Sequence, residues 1–100
     1  MLDGTARKYL RGRAHALRPA VHVGKEGLTE AVVNAIRTSF EAHELIKIKL
    51  QTERDERRAW ARAIAEKTGS ECVGEIGHMA VFFRRHPDPD KQTIDLPGHS

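Results

Sequence analysis

The stretch Val21-His22-Val23-Gly24-Lys25-Glu26-Gly27-Leu28-Thr29 joins a short strand pattern to the clearest amphipathic helix pattern in the chain. Gly24 and Gly27 allow a tight turn between the two, because either glycine can adopt a positive φ. Thr29 is the predicted N-cap, so the unpaired N–H groups of the helix would point back towards the loop. Phosphate is the usual anion at such a turn. The stretch therefore predicts a loop that holds a nucleic-acid backbone, with Lys25 adding a positive charge.

Hydrophobic periodicity on either side of this loop predicts three helices and four strands. Strict alternation in one strand puts Ile46 and Ile48 on one face and Lys47 and Lys49 on the other. The last strand is apolar on both faces, which predicts a central position in the sheet. The predicted helices cover residues 5–17, 29–43 and 53–68, and the predicted strands cover residues 20–23, 44–50, 72–76 and 79–84.

The element order α-β-α-β-α-β-β predicts one α/β domain with a four-stranded mixed sheet. Right-handed β-α-β crossovers would place the second and third helices on the sheet, and the final hairpin would add an antiparallel pair. We expect the domain to cover residues 1–86. The proline-containing segment over residues 87–100 is predicted to be a mostly disordered tail.

Composition and charge restrict the class of protein further. The chain is 39% hydrophobic and 31% charged, and no run approaches the roughly 18 apolar residues of a membrane helix. The N-terminus lacks a signal-peptide core, and the lone Cys72 agrees with a reducing compartment, so we expect a cytoplasmic protein with no membrane partner. Residues 1–25 carry six basic side chains against one acidic side chain, which favours a polyanionic partner.

The residues that could carry catalysis form no recognisable set. The six histidines show no metal-ligand spacing, Cys72 has no second cysteine, and neither nucleotide-binding glycine motif occurs. Cys72 lies in a predicted strand interior, which is typical of a small core residue. The sequence thus predicts no enzyme, metal, cofactor or small-molecule substrate.

The basic residues leave alternatives open. A G-x-x-G motif alone also fits an ordinary strand-to-helix turn, and Glu26 opposes phosphate binding. Lys47 and Lys49 fit a solvated sheet face, the more common case, or a pair of ammonium groups about 7 Å apart that contacts neighbouring phosphates. The first-helix residues Arg11 and Arg13 would extend such a track if they lie on the same side.

Several separated motifs of the chain agree in order with those of one known family. They are residues 17–29, 43–49, 68–69, 73–78, 82–84 and 94–97. Together they resemble the YhbY family of bacterial RNA-binding proteins, which are stand-alone CRM (chloroplast RNA splicing and ribosome maturation) domains. The resemblance implies a fold akin to the C-terminal domain of translation initiation factor three. It also implies RNA binding, with association to precursors of the large ribosomal subunit.

The same resemblance implies which residues contact RNA. The family's G-x-x-G loop corresponds to Gly24, Lys25 and Gly27, with Lys47, Lys49 and Arg84 as nearby basic candidates. Phe83 departs from the tyrosine that is common in the family, and Glu26 stands where the family is often neutral. We therefore expect a monomer that binds ribosomal RNA in large-subunit precursors and acts in ribosome assembly. The alternative is a protein-interaction module that docks on a ribosomal protein or an assembly factor.

Overall fold

The computed structural model describes residues 2–97 and contains the predicted elements in the predicted order. A short 3-10 helix, Pro89–Lys91, follows the last strand. The α/β fold class is confirmed. The helices are α1 (Gly4–Ala14), α2 (Glu30–Ala42) and α3 (Arg54–Thr68), and the strands are β1 (Pro19–Val23), β2 (Leu45–Leu50), β3 (Glu71–Ile76) and β4 (Met79–Phe83).

The four strands form one mixed sheet in the order β1-β2-β4-β3. β1 and β2 are parallel and are joined by the α2 crossover, whereas β4 is antiparallel to both of its neighbours. β4 is therefore central, as its two apolar faces predict. The G-x-x-G loop (Gly24–Gly27) leaves the sheet where β1 and β2 end, since Val23 pairs with Leu50.

Helices cover both faces of the sheet, but to different extents. On one face α2 and α3 bury Ile36, Phe40 and Ile64 against Ile48 and Phe82. On the other face α1 buries its short stripe against β2, β3 and β4, and no other α-helix of the described chain packs there. Each fully buried side chain of this size contributes about 1.5–3 kcal/mol, so both layers are needed for stability.

Capping side chains determine where the helices begin. The Thr29 hydroxyl accepts from the Val32 N–H at 3.2 Å, which confirms the predicted cap of α2. α3 is capped by Glu53, whose carboxylate accepts from the N–H groups of Asp55 and Glu56.

The first helix ends earlier than its apolar spacing predicts. α1 stops at Ala14, and Leu17 is 36% exposed because the chain must turn away from the helix to enter the edge strand β1. Ala6, together with Leu10 and Ala14, completes the buried stripe in its place. The predicted end of the first helix at residue 17 is wrong.

The segment after β4 differs from the disorder that the sequence predicts from residue 87 onwards. Ile94 is only 6% exposed and packs in the same cluster as Leu10 and Phe83. The described part of the tail, up to residue 97, therefore belongs to the α1 side of the core. The remainder of the predicted tail, residues 98–100, lies outside the described residues.

A buried carboxylate anchors this segment. The Glu44 side chain is 1% exposed and accepts backbone N–H bonds from His86 (2.7 Å), Thr93 (2.8 Å) and Ile94 (3.2 Å). Arg85 donates to both carboxylate oxygens, at 3.2 and 3.3 Å. Burial by itself raises the pKa of Glu44, but the three N–H donors and the Arg85 guanidinium outweigh it and hold the pKa below its ordinary value.

We predict that Glu44→Gln lowers the free energy of unfolding at pH 7 by about 3 kcal/mol, since an amide NH₂ would then face backbone donors. The measurement is urea denaturation, with the exposed Glu41→Gln as the matched control. Because the folded pKa lies below 4.5, the contribution of Glu44 is present above that pH and is lost as the pH falls through the lowered pKa. The variant should therefore show a flatter acid limb than the native protein, and an unchanged acid limb would contradict this role.

Candidate nucleic-acid interface

The G-x-x-G loop is a hydrogen-bonded β-turn. The Gly27 N–H donates to the Gly24 carbonyl at 3.0 Å, and the side chains of Lys25 and Glu26 are exposed at the corner between them. Only Gly27 of the two glycines has a positive φ, at 70°. The Thr29 N–H donates back to Gly27 at 3.0 Å. The N–H groups of Gly27 and Thr29 are thus already used in local hydrogen bonds, which leaves the exposed Lys25 side chain as the cationic group of the loop.

Lys47 and Lys49 lie on the sheet face that is opposite α2 and α3. The register places His22, Lys49, Met79 and Ile76 in one row across all four strands, and side chains in one row point to the same face. Lys47 lies in the next row on that face, beside Val81. α1 leaves this part of the sheet uncovered, and Ile76 is 59% exposed.

We call the surface formed by His22, Lys47, Lys49, Ile76 and Met79 the open sheet face. It adjoins the G-x-x-G loop directly, because His22 and its partner Lys49 come one residue before Val23 and Leu50, where both strands end. The exposed Lys25 therefore follows the same end of the sheet at which Lys49 lies, with Lys47 one row further along β2.

Arg84 lies at the other end of the sheet. It follows Phe83, which pairs with Leu45 at the start of β2, whereas the loop is beside Leu50. These two ends of β2 are about 17 Å apart at the rise of an extended strand. The Arg84 N–H donates to the Glu44 carbonyl at 2.8 Å, which ties its backbone to that end. Arg84 does not share a surface with the loop.

Arg11 and Arg13, the two arginines of α1 that were predicted to contact RNA, make different contacts. Arg11 crosses β3 and donates to the Val73 carbonyl at 3.0 Å, and a Cβ at Gly74 would lie 2.5 Å from the Arg11 Cδ. Gly74 is therefore the residue that lets this side chain lie flat beside the open sheet face. Arg13 is exposed, donates to the Tyr9 hydroxyl at 2.8 Å and lies over the Tyr9 ring. Arg11 lines the same cavity as Lys47, and Arg13 is not among the residues that line it.

A second cluster of cations was not predicted to have a function. Arg54, Arg57 and Arg58 of α3 lie against Gly77 in the β3–β4 turn, and Arg62 continues the line beside β3. The spacing of residues 54, 58 and 62 was the available signal, because residues four apart share a helix face. Arg57 donates to the Thr52 carbonyl at 2.6 Å, so part of this cluster stabilises the start of α3.

Other chemistry has little support in the described residues. Burial raises the pKa of the Cys72 thiol, which keeps it protonated near neutral pH. Residues 2–97 contain no cluster of three His, Cys, Asp or Glu side chains arranged to hold a metal ion. Within the same residues, no helix has the length and apolar character needed to cross a membrane.

The chain belongs to the CRS1/YhbY (CRM) domain family, whose model matches residues 2–84. It is similar to "Probable RNA-binding protein PA4753" of Pseudomonas aeruginosa, with 38% identity over 90% of this chain and 88% of that protein. It is also 38% identical to a protein of Haemophilus influenzae named "RNA-binding protein", over 96% of this chain and 95% of that one.

A solved structure agrees with this assignment. The solution structure of the hypothetical protein SAV1595 from Staphylococcus aureus superimposes with a TM-score of 0.83 at 35% identity, over 97% of this chain and all of that one. The predicted family membership is therefore confirmed.

The two loop glycines give a matched pair of variants. We predict that Gly27→Ala lowers the free energy of unfolding by about 1–2 kcal/mol, because a positive φ is strained for any residue with a Cβ. The added methyl group would also touch Trp60, at 3.4 Å. Gly24→Ala should be nearly neutral, since nothing lies within 4 Å of a Cβ there. Urea denaturation of both variants tests this, and equal losses would contradict the assignment of the turn.

Proposed function

We propose that the protein binds RNA through the G-x-x-G loop and the open sheet face, and that it acts in assembly of the large ribosomal subunit. The observation that carries the proposal is the position of the Lys25 loop at the end of β1 beside Lys49, next to a sheet face that α1 covers only in part. Membership of the CRM family, and the names of the Pseudomonas and Haemophilus relatives, support RNA as the polyanion.

The binding mode follows from the kinds of side chain on this surface. Lys25 at the corner of the turn would pair with one phosphate, and Lys49 and Lys47 would pair with further phosphates along β2. Ammonium groups act as point charges towards phosphate and carry no sequence information. Binding would therefore be governed by backbone and shape, which suits structured ribosomal RNA. Glu26 points to the outside of the same turn and would limit affinity at that position.

The predicted site residues have different parts in this proposal. Gly24 and Gly27 shape the turn, and Lys25, Lys47 and Lys49 supply the charge. Arg11 would contribute from the edge of the same face, held in place by Val73. Arg13 and Arg84 lie elsewhere on the molecule, so contacts from them would require RNA that wraps around the domain.

We predict that Lys25→Glu weakens binding of a ribosomal RNA fragment by about tenfold and lowers the slope of log K against log[salt] by roughly one or more. Lys91→Glu is the charge-matched control, because Lys91 is equally exposed but lies in the 3-10 helix after β4. Fluorescence anisotropy at several salt concentrations measures both quantities. Equal losses for the two variants would assign the effect to net charge and would remove the loop from the site.

Binding to a ribosomal protein or an assembly factor is the second candidate, and the exposed side chain of Ile76 favours it. The two can be separated by sedimentation with large-subunit precursors before and after ribonuclease treatment. We expect the protein to leave the particles when their RNA is digested, and the Lys25→Glu variant to sediment poorly before digestion. Retention on ribonuclease-treated particles would support the protein partner instead.

The remaining properties that we propose are those of a small binding domain. The protein would act in the cytoplasm as a monomer, and it would catalyse no reaction. The protonated state of the Cys72 thiol is consistent with a non-catalytic role.

A further inference from the structure

A small cavity opens beside the open sheet face, at the point where α1 ends above the sheet. Its volume is about 140 Å³. Its walls are the last turn of α1, Lys47, and the part of the β3–β4 hairpin next to its turn. The lining residues are Arg11, Ala14, His15, Lys47, Gly74, Ile76, Met79 and Val81.

The cavity combines an apolar interior with a cationic rim. Ala14 and Val81 are buried, and Met79 and Ile76 extend the apolar wall to the surface, where Ile76 is 59% exposed. Arg11 and Lys47 border the same space. A flat apolar group that is joined to negative charge complements such a site, whereas a purely apolar ligand would leave the cations without a partner.

The size of the cavity narrows the choice of ligand. Cavities that hold drug-sized molecules are larger, about 300–1,000 Å³, whereas a cavity of about 150 Å³ holds a single benzene molecule. One six-membered aromatic ring therefore fits the space beside Val81 and Met79. The two fused rings of a purine exceed it.

The position of the cavity connects it to the proposed RNA path. Lys47 borders both the cavity and the open sheet face, and Met79 pairs directly with Lys49. β1 and β4 are separated by two strand spacings, or about 10 Å, at the end of the sheet where the loop begins. A strand of RNA whose phosphates contact Lys25 and Lys49 would thus pass the mouth of the cavity.

We propose that this cavity takes one unpaired pyrimidine base of the bound RNA. The inference rests on the proposed function and adds a ligand class to it. The base would pack against Met79, Val81 and Ile76, and the guanidinium of Arg11 would offer a planar surface next to it. Lys47 would donate to the O2 carbonyl, which cytosine and uracil share. A base inside a duplex cannot enter, because it must first leave its stack.

The test uses three single-stranded probes of equal charge and a length of roughly 12 nucleotides, within the site sizes of small single-strand-binding domains. One probe is all uridine, one is all adenosine, and one is a ribose-phosphate chain without bases. We expect the uridine probe to bind at least about fivefold more tightly than the abasic chain, the scale of one base–protein contact. We also expect it to bind more tightly than the adenosine probe.

Two variants test whether the preference for the uridine probe over the abasic chain arises in the cavity. Ile76→Thr keeps a β-branched residue on an exposed strand position but removes part of the apolar wall, so it should reduce the ratio of uridine-probe affinity to abasic-probe affinity by at least half. Leu17→Thr is the matched control, because Leu17 is also an exposed apolar residue but does not line this cavity. Lys25→Glu should lower the binding affinity for all three probes by the same factor.

Each result bears on the proposal. Equal affinity for the three probes would overturn the base site and leave RNA backbone binding intact, and tighter binding of adenosine would overturn the assignment to a pyrimidine. If an acidic peptide of equal charge displaces the uridine probe at a concentration lower than that of the probe, the cavity would be assigned to a protein ligand. If no RNA of any kind binds, the proposed function fails, and the base site fails with it.

Discussion

Phe82 and Phe83 are consecutive residues of β4, and their side chains are buried on opposite faces of the sheet. A central strand with two apolar faces needs cover on both sides, since each such side chain contributes about 1.5–3 kcal/mol only when it leaves water. α2 and α3 supply that cover on one face. On the other face α1 is too short to do so alone, and Ile94 from the segment after β4 completes the layer. The buried Glu44 carboxylate, at the start of β2, holds that segment in place.

The candidate site results from this unequal cover. α1 packs against β2, β3 and β4 on this face and ends at Ala14, and Lys47 and Lys49 are only partly covered. The strand pairing then aligns these lysines with His22 and with the G-x-x-G loop. The same ending of α1 leaves the small cavity beside Met79 and Val81. The binding surface is therefore the part of the sheet that the core does not use.

Much of the candidate site could be predicted because its residues are neighbours in sequence. Two glycines three apart, a lysine between them and a capping threonine define a turn through local geometry alone. Strict alternation likewise places Lys47 and Lys49 on one face of β2. Arg84 and Arg11 could not be placed in this way, because their positions depend on pairing between β2 and β4 and on the packing of α1 against Gly74. The arginines of α3 were overlooked because their charges suggested only a solvated helix start.

The sequence by itself determined the order and the type of the elements and the central place of β4, because periods of 2 and 3.6 residues are written into short segments. Only the tertiary structure decided where α1 ends, which cations share a face, and that residues 85–97 pack on the domain. These features depend on contacts such as Glu44 to Thr93 and Ile94, which join residues about 50 positions apart. A local pattern of polar and proline residues predicts disorder for such a segment, since the buried carboxylate that receives its N–H groups lies in another element.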